Sequence, residues 1–160
     1  MDGFHLPNAV LADRRLTDRK GAPETFDVAG YLDLLGAVRA EPPDPLYAPS
    51  YRRVRHEPVP GAHTVATSVR LVIGEGNYLL LDRDGWAPAR ALLDQVWFVS
   101  MRPETARARL VGHLAGGLSR TAVEEWVDRV DRANADLVNG TAHRADLRVE
   151  LPELAEFAAR

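Results

Sequence analysis

Apolar residues recur along this chain in two rhythms. Between residues 28 and 40, Val28, Tyr31, Leu32, Leu35 and Val38 return every three or four positions, which predicts one face of a helix. Asp27 is placed to cap its start and Pro42-Pro43 to stop it. Val123, Trp126, Val127, Val130, Ala133 and Leu137 form a second such stripe, with Ser119 as a cap and Asn139-Gly140 as the end. Pro103 suits the first position of a helix over 103–114, with Glu104 in the favourable first turn. The other rhythm is the short unbroken apolar run. Residues 69–73, 94–99 and 147–151 read this way and predict buried parallel strands. Shorter helices are expected over 8–14 and 86–93, and Pro152 opens a last one. Residues 1–26 are polar and broken by Pro7, Gly21 and Pro23, which predicts loop. Residues 43–68 carry several prolines and predict an irregular excursion with short strands near 53–57 and 63–67. Strands alternating with helices argue for an α/β protein with a parallel sheet. Neither an internal repeat nor a dividing linker interrupts residues 1–160, so a single domain is expected.

Composition narrows the classes. The apolar fraction of 46% and charged fraction of 27% are those of a soluble globular chain. Net charge is −3, from 20 basic and 23 acidic residues, so no global basic face points to nucleic acid. There is no cysteine, which excludes disulfides and thiolate metal sites. No apolar run approaches the about 20 residues of a membrane span. The first residues lack the basic-then-apolar order of a signal peptide, and a cytoplasmic location is expected.

Four groups of residues can carry chemistry. Asp2, beside Gly3 and Phe4, can accept a proton from a substrate hydroxyl, or it is a solvated acid at a frayed end. Glu75, flanked by Gly74 and Gly76 just past an apolar run, can hold Mg²⁺ or a substrate hydroxyl, or it belongs to a plain turn. Tyr47, Tyr51, Arg52, Arg53, Arg55 and His56 mix rings with guanidinium forks that suit phosphate or carboxylate, or they form a solvated segment. Arg102, Arg107, Arg109 and His113 lie on or near one helix, where arginines can steady a transferring phosphoryl group or simply face solvent. The five histidines show no metal-ligand spacing, and no zinc is expected.

Several stretches taken together resemble the bacterial nucleoside and nucleotide kinase family related to uridine kinase, phosphoribulokinase and the P-loop pantothenate kinases. They are Met1 to Asn8 (MDGFHLPN), Asp18 to Asp27 (DRKGAPETFD), Tyr47 to Arg53 (YAPSYRR), Glu57-Pro58, Glu75 to Leu80 (EGNYLL), Asp131-x-x-Asn134-Ala135 and Thr141-x-x-Arg144-Ala145-Asp146-Leu147. The resemblance runs over essentially the whole chain. It implies a parallel sheet flanked by helices, an acceptor-binding excursion at about 43–68 and a lid at about 102–120. It assigns Asp2 as the base toward the acceptor hydroxyl and Glu75 as the acid at the substrate and Mg²⁺ end of a strand. His5, Tyr47, Tyr51, Arg52, Arg53, Asn77 and Tyr78 fall in the acceptor-binding segments. Arg107, Arg109 and His113 fall in the lid, and Arg144 in a late loop near the adenine. Relatives often carry an arginine just before the lid histidine, where this chain has Gly112.

The phosphate-binding loop of that family, G-x-x-x-x-G-K-[ST], is absent from these 160 residues. Lys20 is the one lysine, and no glycine precedes it at the required spacing. In relatives the segment matching Asp2 follows the first two strands and the loop, and the first strand lies between those matching 69–73 and 94–99. The chain therefore reads as an N-terminally truncated P-loop kinase-like domain. Its expected function is ATP- and Mg²⁺-dependent phosphorylation of a small metabolite hydroxyl, such as a nucleoside, sugar or pantothenate-like acceptor, with negligible activity in this stretch alone. The alternative is a non-catalytic remnant that binds a metabolite or protein partner. A homodimer in which a second chain supplies the missing strand is compatible with the sequence.

Overall fold

The computed structural model describes residues 1–114 and 119–151, apart from the side chains of residues 113, 114 and 122. The chain forms two compact units, Met1–Asp94 and Gln95–Arg160. In the first unit, short 3₁₀ turns at Asp2–Phe4, Thr17–Arg19 and Pro23–Thr25 alternate with helix α1, Asn8–Asp13, and helix α2, Val28–Arg39. Asp27 caps α2, its carboxylate accepting from the Gly30 amide at 3.0 Å. Strands β1, Leu46–Arg52, and β2, Glu57–Val65, make an antiparallel hairpin. Its register shifts between Ala48 and Ser50, which leaves Pro49, with no amide to donate, at the irregularity. The expected strands near 53–57 and 63–67 are therefore displaced. Residues 53–56 are the hairpin turn, and His56 closes it at φ +49°.

Trp86 lies at the centre of the first unit's core. It is fully buried, with ring centroids of Phe26, Tyr31 and Tyr78 at 5.8–6.0 Å, and its indole Nε1 donates to the Pro23 carbonyl at 3.3 Å. Leu11, Ala22, Leu79, Leu80, Leu81 and Ala89 complete the packing. The helix expected over 86–93 is a 3₁₀ segment, Ala87–Leu92.

Residues 69–73 do not form the expected strand. Val69, Leu71, Val72 and Ile73 are 44–83% exposed, and none of the five has strand geometry. A parallel strand holds its shape through ladder hydrogen bonds to neighbours on either side. Among the described residues of this unit, the only strand pairing of named strands is the hairpin β1–β2, so the run has nothing to pair with.

In the second unit, β3, Trp97–Ser100, pairs in parallel with β4, Leu147–Glu150. The Asp146 carboxylate helps to fix this register by accepting from the Val96 amide at 2.7 Å. Between them run α3, Pro103–Leu114, then α4, Arg120–Trp126, a π turn, Val127–Asp131, and α5, Arg132–Asn139. The predicted stripe is realised in part. Val123, Val127 and Val130 are buried, whereas Ala133 is exposed. The last expected helix, opened by Pro152, lies outside the described residues. Among the described residues no helix is long and apolar enough to cross a membrane.

Two consequences can be measured. A methyl group at Gly3 would press on the Pro49 backbone, its Cβ 2.6 Å from the carbonyl carbon, so Gly3→Ala is expected to destabilise the fold by about 1–3 kcal/mol in urea titration. Asp131 ends the π turn with Oδ2 buried and no hydrogen-bond partner among the described residues, and burial pushes its carboxyl pKa up. The unfolded chain then releases this proton at lower pH than the folded chain, so stability falls as pH rises from the ordinary aspartate range through the raised value. Asp131→Asn should raise the unfolding midpoint at pH 7 and lose that gain near pH 3, as thermal melts at both pH values will read.

Candidate active site

The first eight residues are held by backbone contacts on two sides. The amide of Leu6 donates to the Thr25 carbonyl at 2.9 Å, and that of Asp27 to the Phe4 carbonyl at 2.7 Å. On the other side Gly3 lies against Pro49 of β1 with no room for a side chain. The Met1 ammonium donates to the Glu75 carbonyl at 2.6 Å, and the Met1 side chain covers Gly76, where a Cβ would fall 2.9 Å from Met1 Cβ and Cγ. Phe4 meets Tyr31 edge to face, ring centroids 5.1 Å apart. The segment bearing Asp2 and the segment bearing Glu75 are thus neighbours. Both carboxylate residues are exposed to solvent.

His5 lies between the rings of Phe26 and Tyr51, at 4.1 and 4.8 Å. Its Nδ1–H donates to the Asp2 carbonyl at 2.8 Å, a tautomer assigned from that contact, which leaves Nε2 as an acceptor. Burial is the largest influence on the imidazole and lowers its pKa, partly offset by this hydrogen bond and by the Asp2 charge. His5 is therefore neutral at pH 7. Burial, with the charges of Asp2 and Glu57, raises the Tyr51 phenol, which stays protonated and able to donate.

Lys20, Glu57 and Asn8 were not singled out as site residues by sequence reasoning, yet they border this cluster. Lys20 Nζ donates to Asn8 Oδ1 and to the His56 carbonyl, each at 2.5 Å, and lies 5.5 Å from the centre of the Tyr51 ring. Burial lowers its pKa and Glu57 opposes the shift. The Glu57 carboxylate accepts from the Asn8 amide at 3.2 and 3.3 Å, an anion at the first turn of α1. The signal was present, since Lys20 is the one lysine and Glu57-Pro58 belongs to the resembling motifs. Tyr31 is a further residue that helical spacing marked only as core. Its hydroxyl is buried without a partner among the described residues, and burial with the Glu75 charge pushes its pKa up to about 12.

The other expected site residues are placed as follows. Arg52 ends β1, Arg53 opens the hairpin turn, and Tyr47 stands exposed near the start of β1 beside Gly61. Asn77 is exposed next to Gly76. Tyr78 is in the core, with its hydroxyl donating to the Gly21 carbonyl at 2.5 Å. In the second unit, Arg107 on α3 forms a two-pronged pair with Asp128, 2.8 and 2.9 Å, which raises the guanidinium pKa and lowers that of the carboxylate. Arg109 is half-buried on the same helix, and Arg144 sits in the 3₁₀ turn before β4. The His113 side chain lies outside the described residues. Among the described residues no group of three or more histidines and carboxylates could hold a metal.

No known protein-family profile matches the chain. Individual proteins do. The ATP-dependent kinase-like protein notR' of Aspergillus versicolor is 39% identical over 147 residues, 85% of each chain. The Escherichia coli protein YggC is 38% identical over 98% of this chain and 65% of its own length. A candidate uridine kinase of Schizosaccharomyces pombe is 35% identical over 88% and 61%. The chain thus spans less than two thirds of the latter two. A crystal structure of a candidate fructose transport system kinase from Silicibacter superposes with TM-score 0.85 at 37% identity, over 95% of this chain and 72% of that one. A candidate P-loop containing kinase with a circular permutation from Saccharomyces cerevisiae shares the fold, TM-score 0.81 at 22% identity, over 96% and 56%. The fold is accordingly α/β and P-loop kinase-like. With the motifs around Asp2 and Glu75 set in that fold, the chain belongs to the family of ATP-dependent kinase-like proteins.

Proposed function

We propose that this chain is the acceptor-handling part of an ATP-dependent phosphotransferase acting on a hydroxyl of a small metabolite. The observation that carries the reading is the contact of the Asp2 turn with the Glu75 segment, with His5 and Tyr51 packed beside Asp2. Phosphoryl transfer needs little covalent work from a protein. Positioning and electrostatics supply most of the acceleration.

Each residue has a role within this reading. The exposed Asp2 carboxylate takes the proton of the acceptor hydroxyl. Neutral His5 offers Nε2 as an acceptor, and the Tyr51 phenol and the forks of Arg52 and Arg53 orient the acceptor's polar groups. Tyr47 and Asn77 lie on the exposed flanks, while Tyr78 supports the segment from within the core. In the second unit Arg107, Arg109, His113 and Arg144 are the candidates for contact with nucleotide.

The residues present do not fit a complete triphosphate site. The sequence holds no phosphate-binding loop, and Arg107 is engaged with Asp128. Glu75 fits as a single carboxylate ligand for Mg²⁺, which characteristically takes one or two carboxylates and completes its shell with phosphate and water. A bound Mg²⁺ would neutralise phosphate charge. A second reading, a non-catalytic chain that binds a metabolite or protein partner, is favoured by one feature, the exposed apolar run at 69–73.

The test is a turnover screen with ATP, Mg²⁺ and a panel of nucleosides, sugars and pantothenate-like alcohols. The 160-residue chain alone should show no turnover above background. A hybrid that joins a relative's phosphate-loop segment ahead of residue 1 should phosphorylate one class. In that hybrid, Asp2→Asn should lower kcat by about two to four orders of magnitude with nucleotide affinity little changed. Turnover by the 160-residue chain alone, or full turnover in the Asp2→Asn hybrid, contradicts the assignment.

A further inference from the structure

Tyr31 carries a hydroxyl that packing does not explain. The side chain is 5% exposed, with its ring against Phe4 and Trp86. A phenylalanine would fill the same space. The hydroxyl oxygen is buried and makes no hydrogen bond among the described residues. An orphaned buried hydroxyl costs about 1–3 kcal/mol, so in this arrangement the oxygen detracts from stability.

Its position suggests its purpose. The hydroxyl lies against Gly74, where a Cβ would come within 3.2 Å of it. The next residue is Glu75, whose carboxylate is exposed and has no hydrogen bond or ion pair among those found for the described residues. Burial, with the charge of Glu75, raises the Tyr31 phenol. The Glu75 main chain is already pinned through its carbonyl to the Met1 ammonium. A buried donor without an acceptor thus lies against Gly74, and an acceptor with no bond among the described residues stands on the next residue.

We infer that Tyr31 is a positioning residue for Glu75, its O–H donating to one carboxylate oxygen and leaving the other directed to the Asp2 side. Its ring rests on Phe4 of the Asp2 turn, so one side chain links the two acidic segments. The role given to Glu75 rests on the phosphotransferase reading. The contact itself does not require turnover and is tested in the 160-residue chain.

The experiment compares wild type, Tyr31→Phe, Glu75→Ala and the double variant, by urea unfolding and by carbon NMR of side-chain carboxyls in glutamate-labelled protein at pH 7. Loss of one resonance in Glu75→Ala identifies the Glu75 carboxyl. Tyr31→Phe should shift that resonance and raise the unfolding equilibrium constant about tenfold, the effect of losing a hydrogen bond to a charged group. In the Glu75→Ala background the same substitution should change that constant less than about twofold. An unshifted Glu75 resonance, or a Tyr31→Phe chain equally or more stable with Glu75 present, overturns the inference. Either result can occur whether or not the hybrid enzyme phosphorylates a metabolite, so failure here is distinct from failure of the proposed activity.

Discussion

The seating of the first four residues against the 74–76 segment is the contact on which the rest of the site depends. It joins parts of the chain more than seventy positions apart, with the Met1 ammonium on the Glu75 carbonyl and the Met1 side chain over Gly76. Two absent side chains make it possible. Gly76 leaves space for Met1, and Gly3 leaves space for Pro49 on the opposite side of the turn. The Asp2 turn is thereby fixed to β1 and to the Glu75 segment together. His5 follows from that placement, since its ring fills the gap between Phe26 and Tyr51 once the turn is seated.

A second constraint acts on the strands. Residues 69–73 have the composition of a buried strand and the environment of a solvent-exposed loop. Among the described residues β3 and β4 make a two-stranded parallel pair, on which Trp97, Val99 and Leu147 remain largely exposed. Parallel sheets characteristically bury both faces, so these apolar surfaces are what a larger sheet would cover. The relatives offer a source, because 95% of this chain accounts for only 72% of the Silicibacter kinase. The absence of a phosphate-binding loop from the sequence and the exposure of these apolar residues are therefore accounted for by the same proposal, that the part handling the triphosphate belongs to another segment of polypeptide.

Much of the helical structure was legible, because its information is local. Asp27 caps α2 as its position implied, Pro103 opens α3, and Gly140 follows the end of α5. The π turn was not legible, because a single residue added to a helical repeat leaves the apolar spacing nearly intact. The strand expected at 69–73 does not form, because apolar content is a property of the residues, whereas a strand is a property of its neighbours. The hairpin was misplaced because Tyr47, Pro49 and Tyr51 do not alternate cleanly, and its register turns on a bulge. In the site, acidic residues beside glycines were visible as a pattern. Lys20, Glu57 and Tyr31 act through contacts between distant segments, and no spacing rule marks such contacts.

The central claim is that the Asp2 turn and the Glu75 segment adjoin in the folded chain. Proton NMR tests it directly through cross-relaxation between the Met1 methyl and the Gly76 α-protons, and between the Phe4 and Tyr31 rings. Strong cross-peaks for both pairs are expected. A folded chain in which both are missing, with Met1 to Phe4 giving the narrow lines of a free terminus, would contradict the account.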